Sequence, residues 1–269
     1  MDSPTDQILY KAKDGVAAIT LNRPEAANAQ SMDLLDALDA AWTRAAEDSD
    51  VRVIVLRANG KHFSAGHDLK GASHTPASGK ITLEHIYGIE AHRYLGYSLR
   101  WRNVPKPSIA AVQGKCIAAG LMLCWPCDLI VAAQNAEFSD PVVRMGIGGV
   151  EYHGHTWELG ARKAKEILFT GRALTADEAE RVGMVNKVVP LAELEAQAME
   201  LAQQIARMPA FGLQQAKRAV NQTLDVQGFY SALQSAFDIH QTGHGNAISV
   251  DGYPILTRLD DMKKHIKQS

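Results

Sequence analysis

Two turns built of small residues, Ser64-Ala65-Gly66-His67-Asp68-Leu69 and Ala118-Ala119-Gly120-Leu121-Met122, each follow a strand-like run and lead into an apolar one. A turn that opens a helix carries backbone N–H groups with no partner inside the helix, at the positive end of its dipole. Two such turns aimed into one pocket would bind a developing negative oxygen, each donor contributing about 3–4 kcal/mol to a transition state. The same small residues would also allow tight strand–helix packing, and on pattern alone both readings stand. Cys124-Trp125-Pro126-Cys127 is a second feature that could do chemistry, as a redox dithiol or half a zinc site. No second C-x-x-C or H-x-x-x-H lies near it, so no metal is expected there, and buried free thiols are the simpler expectation.

The elements that must position these turns follow from periodicity. Val16 to Asn22 reads as a strand ended by Pro24, and Ser31 as the N-cap of a helix to Glu47 with Leu34, Leu35, Leu38 and Trp42 on one face. Val51 to Ala58 is rich in β-branched residues, as a buried strand requires, and Asn59-Gly60 turns the chain into the first motif. The small polar stretch Gly71 to Lys80 reads as a loop, followed by a helix with Ile86, Ile89, His92 and Leu95 in register. Ser108 to Gln113 is a strand, Ile117 to Cys124 a buried helix, and Leu129 to Ala133 the next strand. This alternation predicts an α/β layered core with crossover connections. The second half is mostly helical. Thr175 and Glu178 form a capping box, and Val185 to Val189 is a short strand. Helical patterns run over Leu191 to Arg207, Phe211 to Leu224, Phe229 to Thr242 and Pro254 to Lys267, with Gly243-His244-Gly245-Asn246 separating the last two.

Composition narrows the class. The chain has 269 residues, 46% apolar and 22% charged, with a formal net charge of -2, so a large core is affordable and no basic surplus points to nucleic acid. No apolar run is long enough to span a bilayer, and Met1 to Tyr10 has no signal-peptide core, so a cytoplasmic location is expected.

Leu21-Asn22-Arg23-Pro24, Val53-Ile54-Val55-Leu56 and Phe63 to Leu69 occur in order, followed by Pro105-Lys106-Pro107, Ile109 to Gly114, Ala118-Ala119-Gly120 and Cys127-Asp128-Leu129. Phe138, Leu168 to Arg172, Ala179 and Gly183-Met184-Val185-Asn186 complete the set. This succession resembles the crotonase (enoyl-CoA hydratase/isomerase) superfamily from about Ile8 to about Lys264. The resemblance implies a ββα spiral core over residues 1–200 and a C-terminal helical region over 201–269 that mediates trimer or hexamer assembly. It implies an acyl-CoA thioester as ligand, with coenzyme A part of the substrate and no further cofactor or metal. The oxyanion would sit on the N–H groups of His67 and Ala119. Ala65, His67, Asp68, Leu69 and Lys70 would line the pantetheine and adenine end, and Arg23 would lie near the nucleotide.

One departure bears on the reaction. Hydratases of this family use two glutamates, and their places are taken here by Met122 and Val142, which cannot transfer a proton. Losing both groups, each typically worth 10²- to 10⁴-fold, should remove efficient hydration by that route. Glu151, His153 and His155, in the segment Gly146 to His155, are the candidates for a relocated acid or base, since dienoyl-CoA isomerase relatives carry an acidic group near Glu151. Histidine after the glycine of the first turn is also found in family decarboxylases of malonyl-type esters, which gives the His67 side chain a possible role. Asp140 either faces the pocket or caps the loop before Pro141. The expected function is an acyl-CoA enzyme working through a thioester enolate, by isomerisation, decarboxylation or atypical hydration. The alternatives are a non-catalytic acyl-CoA-binding protein and, more remotely, a C-x-x-C redox protein.

Overall fold

The computed structural model describes residues 7–69 and 80–257. Lys70, most of the Gly71 to Lys80 loop and ten of the fourteen positions of the expected Pro254 to Lys267 helix lie outside the described residues, and the four described, 254–257, are not helical. In chain order the elements begin with β1 (Ile8–Lys13), β2 (Val16–Leu21), α1 (Met32–Glu47) and β3 (Val53–Ala58). A broken helix follows: α2 (Leu83–Ile89), a π-helical segment over Glu90–Gly96, and α3 (Tyr97–Arg102). Then come β4 (Ser108–Val112), β5 (Lys115–Ile117), a 3₁₀ turn over Ala118–Gly120, α4 (Leu121–Cys124), β6 (Leu129–Ala133) and β7 (Glu137–Ser139). The second half holds α5 (His155–Thr170), β8 (Leu174–Thr175), α6 (Ala176–Arg181), β9 (Lys187–Val189), α7 (Leu194–Ala206), α8 (Ala210–Val226) and α9 (Phe229–Asp251).

The larger sheet has the order β1-β2-β3-β4-β6-β9, antiparallel only between β1 and β2. Its central strands are buried on both faces, which is why β2 and β4 are buried at every position and read as continuous apolar runs. The period of two divides β3 between two cores: Ile54 and Leu56 join Leu34, Leu38 and Trp42 of α1, whereas Val53 and Val55 join Leu194, Ala198 and Ala202 of α7. Ser31 caps α1 by accepting the Leu34 N–H at 3.2 Å. A smaller sheet, β5-β7-β8, stands beside the first and carries the second small-residue turn at the end of β5.

Two expectations change, and one strand is added: the antiparallel β1 precedes the first strand read from the sequence. Ile117 to Cys124 is strand end, 3₁₀ turn and one turn of α-helix, because the chain must bend here to bring its amides beside the first motif. Gly243 to Asn246 does not separate two helices, for α9 runs unbroken through it. Gly243 is there because the helix crosses a backbone closely: a Cβ would fall 2.9 Å from Gly146 O and 3.0 Å from the Ile147 side chain. That packing outweighs the roughly 1 kcal/mol helix cost of glycine.

Helix α8 has no buried residue and exposes Phe211, Val220 and Val226 at 72%, 62% and 79%. Beneath it lies a cavity of about 540 Å³ lined by Trp125, Tyr152, Glu158, Met184, Leu213 and Phe229 among others. Glu158 has no ion-pair partner among the described residues, and burial pushes its pKa from 4.5 up to about 7. The folded state therefore holds a proton that the unfolded chain has released between those values, so stability falls as pH rises through this window. Its partly open side admits solvent, which trims the effect to about 1–2 kcal/mol. Glu158→Gln is expected to stabilise the fold by that amount at pH 8 and to have no effect near pH 4.5, measured by urea denaturation at both.

Candidate active site

The two small-residue turns lie side by side. Ser64 donates its N–H to Lys115 O at 3.1 Å, and Ile117 donates to Ser64 O at 3.0 Å, so the first turn continues the edge of β5. Gly66 adopts φ +85°, and a Cβ on it would fall 2.7 Å from Ile117 O and 3.3 Å from Ala119 N. A Cβ on Gly120 would likewise fall 2.8 Å from Ser64 O. Only glycine permits this approach on both sides. Gln30 clamps the pair: its N–H donates to Gly66 O at 2.8 Å, its carbonyl accepts from Asp68 N–H at 3.1 Å, and its side-chain amide donates to Ala119 O at 2.8 Å. Because Gln30 pairs with the residues on either side of His67, the His67 amide points to the opposite side. Ala119 is the second residue of the 3₁₀ turn, a position whose N–H has no acceptor within its own turn. Ala119 is also outside the left-handed region, so alanine suits it; the unusual backbone belongs to Ala118, at φ +49°.

The first turn also presents the His67 side chain. Its ring stacks on Tyr94, centroids 4.0 Å apart at 16°, and its Nε2 lies 3.0 Å from Glu151 Oε1 as a close ion pair. Glu151 is 1% exposed. Burial acts to raise its carboxyl pKa, but the neighbouring His67 charge holds it below the ordinary carboxylate value. For His67, burial acts to lower the pKa, and Glu151 more than offsets it, so the net direction is upward. Sequence expectation placed His67 and Glu151 in one pocket for separate reasons. The structure brings their side chains into contact.

Other expected ligand residues gather at the same turn. Arg23 donates from Nη1 to Asp68 Oδ2 at 2.6 Å and to Ala29 O at 3.1 Å, which ties two of the expected coenzyme-binding positions together. Ala65 is half-buried, its N–H donating to Ala27 O at 2.9 Å, and Leu69 is 40% exposed. Met122 is buried in α4 with its carbonyl accepting from Ser98 Oγ at 3.2 Å, and Val142 packs against the same core from the turn after β7.

Beside Glu151 stands a polar cluster that the sequence reading missed. Glu90, at the start of the π-helical segment, faces His240 and His244 of α9 at 3.2 Å and 3.4 Å, and Gln241 Nε2 donates to its Oε2 at 2.6 Å. Glu90 is 2% exposed, His240 5% and His244 7%. For His240, burial acts to lower the pKa, but its hydrogen bond to Glu90 pushes it up to about 9. The missed signal is the spacing His240-x-x-x-His244, which puts both rings on one helix face; the glycines beside it read as a helix end.

Residues 11–251 match the family model described as Enoyl-CoA hydratase/isomerase. A crystal structure of a probable enoyl-CoA hydratase from Mycobacterium smegmatis is 72% identical, covers 94% of this chain and 100% of its own, and superposes with a TM-score of 0.91. The chain belongs to the enoyl-CoA hydratase/isomerase family. A second such structure, of a probable enoyl-CoA hydratase from Mycobacterium thermoresistibile, is 73% identical with a TM-score of 0.89, covering 92% of this chain and 98% of that one. A Mycobacterium tuberculosis protein that carries the name enoyl-CoA hydratase EchA13 provisionally is 44% identical over 92% of this chain and 83% of its own.

Within this enoyl-CoA hydratase/isomerase fold, the rest of the Gly146 to His155 segment separates from Glu151. His155 is buried at the start of α5 with Nε2 3.0 Å from Asp140 Oδ2. Asp140 also accepts from Val150 N–H at 2.9 Å and Val142 N–H at 3.4 Å, so it caps the loop, which settles its alternative. Burial acts to raise its pKa, and the His155 hydrogen bond holds it below the ordinary value. Asp140→Ala strands a buried histidine and two amides and is expected to cost about 3–5 kcal/mol, read as a fall in the urea midpoint. His153 lies over Gly149, its ring 4.4 Å from that of His155, and burial lowers its pKa to about 4.

The three cysteines of this family member are buried and free. Cys124 Sγ lies 3.8 Å from Cys116 Sγ, not from its C-x-x-C partner, and Cys127 Sγ donates to Leu123 O at 3.6 Å. Burial pushes both Cys124 and Cys127 well above the ordinary thiol range, which leaves little thiolate for redox chemistry.

Proposed function

We propose that this protein binds an acyl-CoA thioester and moves a proton on its acyl chain through an enolate, with Glu151 as the acid–base group. The observation that carries the proposal is the Glu151–His67 pair set on the residue whose backbone helps form the paired turns. The thioester oxygen is received by the N–H groups of His67 and Ala119. Negative charge that develops there is met by two fixed dipoles that need no reorganisation. Glu151, ionised beside His67, removes a proton from the carbon chain and returns it at another carbon. One carboxylate suffices for such a shift, whereas addition of water needs a second group to activate it. With Met122 and Val142 in the places of the hydratase glutamates, isomerisation is the reading this site supports over efficient hydration.

Arg23 and Asp68, held together at the rim, with Ala65, Leu69 and Lys70, bind the coenzyme. The exposed apolar side chains of α8 favour assembly with further copies of the chain, as a trimer or a hexamer. No helix among the described residues is long and apolar enough to cross a membrane. The test is mass spectrometry of 2-enoyl, 3-enoyl, dienoyl and malonyl-type CoA esters incubated with the protein in deuterated water. Isomerisation with deuterium uptake supports the proposal. Water addition as the fast reaction, or loss of carbon dioxide without isomerisation, overturns it. Tight binding with every ester returned unchanged makes the protein an acyl-CoA binder, the reading that the apolar Met122 and Val142 would favour.

A further inference from the structure

His240 and His244 are held so that their free lone pairs converge. His240 Nδ1 lies 2.6 Å from Gly149 O, and His244 Nδ1 lies 2.6 Å from Pro254 O. A carbonyl oxygen only accepts, so each Nδ1 carries the ring proton and each Nε2 of a neutral ring presents a lone pair. Those two Nε2 atoms are 3.0 Å apart, and the Glu90 carboxylate faces them at 3.2 Å and 3.4 Å. With both rings neutral, three acceptors surround one point in a buried space, a point that a proton on His240 Nε2 fills when no ion is bound; the ion pairs of Glu90 among the described residues are to these two rings alone. Such an arrangement repels itself unless a cation or a proton occupies the centre.

We infer that Glu90, His240 and His244 form a binding site for a divalent transition-metal ion of the zinc class. Two imidazoles and a carboxylate are a donor set that suits zinc. Zinc bonds of about 2.0–2.1 Å in a tetrahedral shell place neighbouring ligand atoms about 3.3–3.4 Å apart. The two Nε2 atoms stand 3.0 Å apart, Oε2 lies 3.2 Å from His240 and Oε1 3.4 Å from His244, and one donor atom from each residue lies within 4.8 Å of the others, so a turn of the carboxylate brings one oxygen onto an ion held by both rings. The outer hydrogen bonds agree as well. A metal-ligating histidine commonly donates its other ring N–H to a carbonyl, which fixes the tautomer, and both rings do so here. Gln241 orients the carboxylate in the same way, donating to Glu90 Oε2 at 2.6 Å. Glu90 itself opens a π-helical segment, an irregularity often found at functional sites.

The ion links three parts of the chain: the segment after α2, helix α9 and, through the Gly149 carbonyl, the stretch that presents Glu151 two residues later. It sits behind the proposed acid–base group and braces it. All three ligands are buried, which marks the ion as structural, and a water takes the fourth position of the shell. This revises the sequence expectation of no metal, which looked for ligands only around the cysteines.

The test uses tag-free protein, stripped with a chelator and returned to metal-free buffer. Titration calorimetry with Zn²⁺ is expected to show one saturable equivalent per chain. At a hundred-fold excess over Kd the bound ion is expected to raise Tm by about 5–10 °C. Co²⁺ in the same site is expected to give the intense visible bands of a four-coordinate ion. His244→Ala and Glu90→Gln should each weaken binding by about 100-fold or more, whereas His92→Ala, at an exposed histidine, should leave it unchanged. No saturable equivalent in the wild-type protein overturns the inference, and this result holds whether or not a variant folds. Wild-type affinity retained in a folded His244→Ala or Glu90→Gln variant overturns it too, by placing the ion elsewhere.

Discussion

Glu151→Gln is expected to lower turnover of an isomerisable acyl-CoA by about 10²- to 10⁴-fold while the ester still binds. Glutamine keeps the shape of the side chain and can still face His67 Nε2, so the change removes proton transfer more than packing. The effect should fall on kcat, because binding energy comes from the coenzyme and the acyl slot and the carboxylate acts only as the proton moves. His67, deprived of the buried charge that raises its pKa, should titrate at lower pH in the variant, which NMR of its ring protons would follow. A stability loss without a kcat change would mean that Glu151 is only the counter-ion of a buried histidine. His153→Ala provides the contrast. Its ring lies against His155 and Gly149, and turnover should change by less than about tenfold.

Gly66→Ala is expected to lower kcat by about 10²- to 10³-fold through the backbone alone. The added methyl would stand 2.7 Å from Ile117 O, in a residue at φ +85°, so the first turn must swing away from the second. The donor most affected is the N–H of the very next residue, His67, which cannot be deleted by side-chain substitution. Alanine in the left-handed region also costs about 1–2 kcal/mol, so a modest fall in Tm should accompany the kinetic loss. Ala118→Gly is the internal control. Ala118 already occupies φ +49°, so glycine relieves strain there, and the variant should be as stable as the parent or slightly more so with turnover little changed. Comparable kinetic losses in both variants would show that the turns tolerate no change at all and would remove the argument for a specific displaced donor.

Much of this site was legible because backbone chemistry leaves marks in the sequence. Gly66 and Gly120 announce a close approach, and Ser31 with Leu34, Leu35 and Leu38 announces the helix that backs the central strands. The strands β2, β3, β4 and β6 of the larger sheet show themselves by continuous apolar runs. Glu151 came to attention because the positions of the two hydratase glutamates hold Met122 and Val142 and dienoyl-CoA isomerase relatives carry an acidic group near it. What stayed hidden depended on distance through space. His67 and Glu151 are 84 positions apart, and nothing in either neighbourhood says that their side chains meet. Glu90, His240 and His244 were hidden twice over. Two glycines disguise the interior of α9 as a break, and Glu90 meets His240 only across 150 positions of chain.

The measurement that bears most directly on the central claim is α-proton exchange. A saturated acyl-CoA cannot isomerise, so its only signature of an enolate is deuterium acquired from solvent at the carbon beside the thioester. Incubated in deuterated water and read by mass spectrometry, the wild-type protein is expected to catalyse incorporation there, and Glu151→Gln is expected to abolish it. Exchange that persists undiminished in Glu151→Gln, or a bound ester that gains no deuterium from the wild-type protein, would contradict an enolate formed between these turns by Glu151.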